Sequence, residues 1–295
     1  MFGAKRKVLD TADLTPMGEI WLRLKKNKAA MGALGMVILI ILVAIFADVI
    51  ADYQALAIKQ QPEIRLQGPS AEHWFGTDAF GRDVFARVIH GTRYSLLFGL
   101  VCTFLSTIIG CVLAASAAYM GKIVETLIMR TMDAMMSIPG TLFIIVIIAA
   151  MGSGLRSMFV AMVIAYIPGF TRMIHAFVVT VVRQEYIEAA RSNGAKTSTI
   201  IFRHVLPNAI GPIIVNAMMS VAGLIMGAAA LSFIGMGVQP PAPEWGSLLQ
   251  EATGWMRLYP HLVVAPGVAI VLTSLSFNLL GDGLADALDP RRAEL

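Results

Sequence analysis

The stretch from Ala29 to Ala47, "AAMGALGMVILIILVAIFA", runs for 19 residues without one Asp, Glu, Lys or Arg. A helix crossing roughly 30 Å of hydrocarbon needs about 20 apolar residues, so this run reads as a membrane span. Outward from it lie five more such stretches: 94–121, 134–155, 157–182 broken only by Arg172, 205–243, and 258–281. The 39-residue run is too short for two spans and a turn, and Pro240, Pro241 and Pro243 close its far end; one helix over 209–231 is expected there. The runs are continuously apolar and do not alternate at every second residue, which argues against a β-barrel.

Composition agrees. Of 295 residues, 57% are apolar and only 14% charged, with mean hydropathy +0.73. A soluble domain carries about 25% charge, and a water-facing surface cannot be built from so little. The expected fold is all-α, a polytopic membrane protein with six transmembrane helices. Its parts are a segment 1–28 with an interfacial helix, a first span 29–50, an external loop 51–93, a five-helix core 94–283 and a tail 284–295.

Lys and Arg concentrate on the cytoplasmic side of membrane proteins. With the N-terminus inside, the inner segments hold 15 of these residues and the outer ones 7, so both termini are expected in the cytoplasm. The net charge of +4 is thereby explained by topology and calls for no nucleic-acid partner. Residues 17–28 combine Ile20, Trp21 and Leu24 with Arg23, Lys25, Lys26 and Lys28, the pattern of a helix lying in the lipid interface. On the outer side, Trp245, Leu248, Leu249, Trp255 and Tyr259 read as an aromatic belt with a short helix.

Pro-Gly neighbours at Pro139-Gly140, Pro168-Gly169, Gly211-Pro212 and Pro266-Gly267 predict kinks, either merely tolerated in lipid or serving helices that enclose a path and rock. Gly223 with Gly227, and Ala114 with Ala118, have the spacing of close helix packing. Arg172 and His175 are the ionisable residues well inside a span; Arg172 either snorkels to the cytoplasmic interface or serves a gate or path with Pro168 and His175. Cys102 and Cys111, nine residues apart on one helix, stand about 13 Å apart and cannot pair.

Catalytic patterns are lacking. The five histidines have no metal-ligand spacing, and "GTDAFGRD" at Gly76–Asp83 has Arg82-Asp83 where a phosphate-binding loop needs Lys-Ser/Thr. No catalytic, cofactor or metal site is expected.

The most informative segment is "EYIEAARSNGAKTSTIIFRHVLPNAIGP", residues 185–212, in a cytoplasmic loop 183–208. Helix formers from Glu185 to Ser192 stop at Asn193-Gly194, and a second amphipathic stretch from Ser198 to Val205 runs into Pro207. Ala189, Ala190, Gly194 and Ala195 form a small-residue surface suited to a partner's groove.

Here the sequence becomes recognisable. Glu188-Ala189-Ala190, Gly194 and Leu206-Pro207 resemble the cytoplasmic signature loop of ABC-importer permeases, and "RHVLPN", with His204 where Ile is usual, is similar to the peptide branch. "WFGTDAFGRDVFARVIHGTRYSL" (74–96), "MDAMMSIPG" (132–140), "PEWGSLLQEA" (243–252) and "GDGLADALDPR" (281–291) look like the C-type membrane subunit of dipeptide, oligopeptide, glutathione and nickel importers. The resemblance implies a type I ABC-importer permease fold in the bacterial inner membrane. It further implies a homologous B-type permease, two cytoplasmic ATPases docked on the signature loops, and an external binding protein. ATP would be bound by those partners, and the ligand would be a dipeptide or oligopeptide, with glutathione or nickel as alternatives. A secondary transporter is the rival class; it would show internal repeats, and none is evident between the two halves.

Overall fold

The computed structural model describes residues 16–289; the segment up to residue 15 and the end of the expected tail, with Arg291 and Arg292, lie outside the described residues. Among the described residues the regular structure is helical, with one isolated bridge between Thr77 and Asp83. The main elements are α1 (Pro16–Lys26), α2 (Lys28–Ile45), α3 (Val84–Tyr119), α4 (Lys122–Met136), α5 (Gly140–Met151), α6 (Leu155–Val182), α7 (Glu185–Ser192), α8 (Ile200–Phe233), α9 (Trp245–Ala252) and α10 (His261–Leu288).

Five of these helices, α2, α3, α6, α8 and α10, are each long and apolar enough to span, while α4 and α5 pass that test only together and meet at 86°. The expected third span, 134–155, is therefore not one straight helix. Pro139 lacks the N–H that a continuing helix would need, its ring would clash with the preceding turn, and its ψ is extended at 124°, so the chain breaks between Met136 and Gly140. The bent pair nevertheless makes one crossing. Ser106 on α3 donates to the Val163 carbonyl of α6 at 3.2 Å, and the Cα of Gly110 faces Phe170 and Ile174. Residue numbers rise together along both helices, so α3 and α6 run parallel, and only a crossing between them returns the chain to the starting side.

The remaining contacts are antiparallel. Gly281 of α10 packs on Met219 of α8, Gly211 of α8 faces Leu288, and Gly283 of α10 abuts Ala30 of α2. Six crossings leave both ends on one side. There, Asn27 caps α2 by accepting from the Ala30 N–H at 3.1 Å, and Arg23 donates to the Asp289 carbonyl at 3.3 Å. The apolar side of α1 seats Ile20 and Leu24 against Ala30 and Ala287 while Lys25 and Lys26 stay exposed.

The three largest buried clusters all draw on α8: Val221, Ala222 and Ile225 in the first, Leu224, Ala228 and Leu231 in the second, Val205, Ala209 and Ile213 in the third. Ala114 is fully buried against α6, in keeping with its small-residue spacing, and Cys102 is buried while Cys111 is half-buried. Gly223, expected to pack as Ala114 does, instead has open space where a side chain would lie.

The second span begins at Val84, well before the charge-free run from residue 94, so the segment 51–93 is not all loop. Arg87 lies inside this helix with no exposure and Arg93 ends its first section. Arg93 donates to the Ala44 carbonyl at 2.6 Å and pairs with Asp48 at 2.8 Å, which closes the corner between α2 and α3.

Candidate functional site

The loop leaving α6 folds as read. Helix α7 has Glu185 and Glu188 in its first turn and Arg191 in its last, the charge order that complements a helix dipole. It ends in a Schellman motif: Ala195 N–H reaches the Ala190 carbonyl at 3.1 Å, Gly194 N–H reaches Arg191 at 3.0 Å, and Gly194 takes φ +77°. Ile187 is buried with Val178 of α6 and with Ile200 and Val205 of α8, so the loop is anchored to the ends of two spans. The Arg191 guanidinium lies 5.0 Å from the Tyr119 ring and adds a third attachment, to α3.

Exposure sorts the candidate residues of this loop. Glu188, Ala189, Gly194 and Pro207 are exposed, whereas Ala190 and Leu206 are half-buried. Ala190 packs against the loop's own anchoring cluster. Of the small-residue surface expected for a partner's groove, Ala189 and Gly194 face outward, while Ala190 and Ala195 turn toward that cluster. Beyond the turn, Thr197–Thr199 leads into the π-helical first section of α8, Ile200–Val205.

Arg172 does not simply snorkel. Its Nη1 lies 2.6 Å from Asp133 Oδ1 of α4, and three residues on, His175 Nε2 lies 3.3 Å from Glu125 Oε1, also of α4. The two contacts fasten the bent α4 to α6 just past Pro168, which is buried within α6. Asp133 and Glu125 were missed in the sequence because they precede the charge-free run, so nothing marked them as facing a span.

A second polar assembly, on the opposite side of the membrane, was also missed. Asp78 accepts from Arg82 Nε at 2.7 Å and Arg87 Nη1 at 2.8 Å, while Glu251 accepts from Arg82 Nη2 at 2.7 Å and lies 3.1 Å from Arg87 Nη2. Both guanidinium groups are essentially sealed from solvent. Burial pushes the Glu251 carboxyl up to about 7, with Arg82 opposing and the Asp78 charge reinforcing that rise. Glu244 is fully buried and caps α9 in a reciprocal box with Ser247, and its burial raises its pKa despite those hydrogen bonds. Trp245, expected in an interfacial belt, is fully buried; Trp255 and Tyr259 stay half-exposed.

Six crossings, proline inside three of the spans, and a folded helix-turn held outside the lipid make this a polytopic protein of the transporter kind. Among the described residues no group of His, Cys, Asp or Glu could hold a metal ion. The chain belongs to the binding-protein-dependent transport system inner membrane components, whose family model matches residues 106–294. Residues 15–69 match the N-terminal TM domain of oligopeptide transport permease C. It is 42% identical over 94% of its length to a dipeptide transport system permease protein of Alkalihalophilus pseudofirmus, of which 91% is covered. It is 44% identical, with the same 94% and 91% coverage, to a glutathione transport system permease protein of Escherichia coli. A chain of the MetNI methionine ABC transporter shares the fold, with TM-score 0.58 and 18% identity over 70% of this chain and 98% of that one. The protein is thus a multi-pass permease subunit of a bacterial ABC importer, resident in the inner membrane, and not itself an enzyme. Its family works with a further permease, an ATPase and a binding protein, and carries no cofactor of its own as a rule.

Proposed function

We propose that this chain is the C-type half of a two-permease importer of short peptides, fed by an external binding protein and driven by two cytoplasmic ATPases. The observation that carries the reading is the similarity, at 42% and 44% identity over nearly the whole chain, to permeases of a dipeptide and a glutathione system, whose substrates are both short peptides. A homologous B-type permease completes the path, and both termini lie in the cytoplasm.

In this mechanism the ATPases engage the loop around Glu188, Ala189, Ala190, Gly194, Leu206 and Pro207. Three features support that role: the exposed Glu188-Ala189 face, the fixed turn at Gly194, and the burial of Ile187 against α6 and α8. Closure of the ATPases pushes α7, and α7 shifts the inner ends of two kinked spans. Arg172 and His175, held by Asp133 and Glu125, form the gate, with Pro168 as its hinge.

The test is affinity purification of the tagged chain followed by uptake in reconstituted vesicles. The parent should bring down a homologous permease and an ATPase pair. Gly194→Val meets the roughly 1 kcal/mol or greater cost of a left-handed turn, and Ala189→Trp adds bulk to the exposed face. Both should assemble and fail in uptake, while Thr197→Ala behaves as the parent. Normal uptake by the first two variants in a complex of verified composition would reduce the loop to a connector.

A further inference from the structure

Between α6 and α8 the membrane domain leaves an open face without a charge. Two cavities meet there at Tyr166. One, of about 430 Å³, is lined by residues that include Gly140, Thr141, Gly227 and Ile234; the other, of about 170 Å³, is lined by Gly169, Phe170, Met173, Asn216 and Ser220 besides Tyr166. Along α8 the series Asn216, Ser220, Gly223, Gly227, Ala230, Ile234 advances by three or four residues per step, so it stays on one side of the helix. At 1.5 Å per residue it covers about 27 Å, close to the thickness of the hydrocarbon.

Lipid is a poor occupant for this face. Asn216 donates its Nδ2 to the Pro212 carbonyl at 2.9 Å and Ser220 its hydroxyl to the Asn216 carbonyl at 2.7 Å, but Asn216 Oδ1 and the Tyr166 hydroxyl have no hydrogen-bond partner among the described residues. Tyr166 stands near the middle of α6 and Asn216 and Ser220 near the middle of α8, far from any headgroup. Hydrocarbon cannot satisfy such groups, whereas water or a polar solute can. Gly169 and Gly223 have no atom within 4 Å of the place a side chain would occupy, so there is room beside them. Arg172 is exposed on the same side of α6, one turn from Gly169, and its charge is paired with Asp133.

We propose that the face built by Tyr166, Asn216 and Ser220, with the open glycines Gly169 and Gly223, is this chain's wall of the solute path. It handles a peptide through main-chain amides, because the wall offers neutral donors and acceptors at mid-membrane and no fixed charge. This peptide specificity rests on the function proposed above; the location of the wall does not. The occupant is the moving peptide with its water, and the second permease supplies the opposite wall. A path of this kind discriminates little by side-chain charge and leaves that selection to the binding protein.

The test uses the assembled transporter in vesicles, with Cys102 and Cys111 replaced by Ala and single cysteines placed by Ser220→Cys, Gly223→Cys and, as lipid-facing control, Val271→Cys. A membrane-impermeant charged thiol reagent should modify the first two in at least one nucleotide state and stop uptake while ATP hydrolysis continues. Val271→Cys should stay unmodified. Gly223→Trp should assemble, hydrolyse ATP on addition of loaded binding protein, and lose uptake. If the cysteines at 220 and 223 are as inert as that at 271 in every nucleotide state, lipid or a packed partner helix covers the face and the proposal falls. Parental uptake by Gly223→Trp overturns it as well. Tyr166→Phe and Asn216→Leu should slow peptide uptake without changing labelling at 220. Intact labelling with no effect of these two variants on peptide uptake would keep the wall and reject main-chain recognition.

Discussion

Trp245 donates its indole N–H to the Val88 carbonyl at 3.0 Å, joining residues 157 positions apart. The bond docks α9 on the N-terminal end of α3, and the buried ring completes the cluster that includes Val84, Val221 and Leu262. Next to it, a side chain at Gly246 would fall on the Ala229 carbonyl of α8. Trp245→Phe should cost about 1 kcal/mol for the lost hydrogen bond. Gly246→Ala, which must move backbone, should cost ~1–3 kcal/mol. Thermal melting of the purified complex gives the order, and a milder effect at Gly246 than at Trp245 contradicts this packing.

Arg87 is fully buried between Asp78 and Glu251. Arg87→Met should destabilise by up to roughly 3–5 kcal/mol, since it leaves the largely buried Asp78 and Glu251 carboxylates to share Arg82 alone. Adding Glu251→Met should recover part of that loss. A double variant as unstable as the sum of the single ones would show that the groups do not interact.

The same cluster sets a pH dependence. Glu251 is raised from an ordinary 4.5 to about 7 by burial, so the folded state binds its proton more tightly than the unfolded state does. The stability it contributes is complete below the unfolded value and is lost as pH rises through 7. Amide exchange in Trp245–Ala252 should therefore quicken from pH 6 to pH 8 after correction for intrinsic rates, and Glu251→Gln should remove that difference. Slowing over the same interval would reverse the sign and sink the assignment.

Arg172 and Asp133 are each about half exposed, at 54% and 41%, so their ion pair contributes at most about 1 kcal/mol to stability. Its effect should appear in transport. Arg172→Asp should lower uptake with little change in melting, and the swap Arg172→Asp/Asp133→Arg should restore much of it. Failure of the swap in a stable, assembled complex would mean that Arg172 acts by something other than this pair.

Orientation has its own measurement. A cysteine placed at exposed Glu63 should react from outside intact cells, and one at exposed Lys196 only after the membrane is opened. The opposite pattern would turn the α7 loop away from ATP and remove the mechanism proposed for it.

The six crossings were legible because hydrocarbon imposes one strong rule on sequence, the exclusion of unpaired charge. The α7 turn was legible because helix formers, Asn193-Gly194 and the apolar spacing of Ile200 and Val205 all act within a few residues. What escaped was long-range pairing. Arg87 looked like the end of a loop because Asp78 and Glu251 neutralise it from far along the chain, and Arg172 looked solitary because Asp133 sits on another helix. Trp245 was read as interfacial for the same reason, since its partner Val88 lies beyond any local pattern. Gly223 was read as packing, and only its three-dimensional surroundings show the open space beside it.

The 86° bend between α4 and α5 has a mechanical consequence. The Arg172–Asp133 ion pair and the 3.3 Å His175–Glu125 contact tie the α4 arm to α6, and the α5 arm borders the cavity at Gly140 and Thr141. Such an elbow works as a bell crank, whose pivot at Ser137–Pro139 converts a sideways pull at one arm into travel along the other. In the mechanism proposed above, a small shift of α6 beside the α7 loop is thereby delivered at right angles along the α5 arm, without any helix having to slide through the bundle.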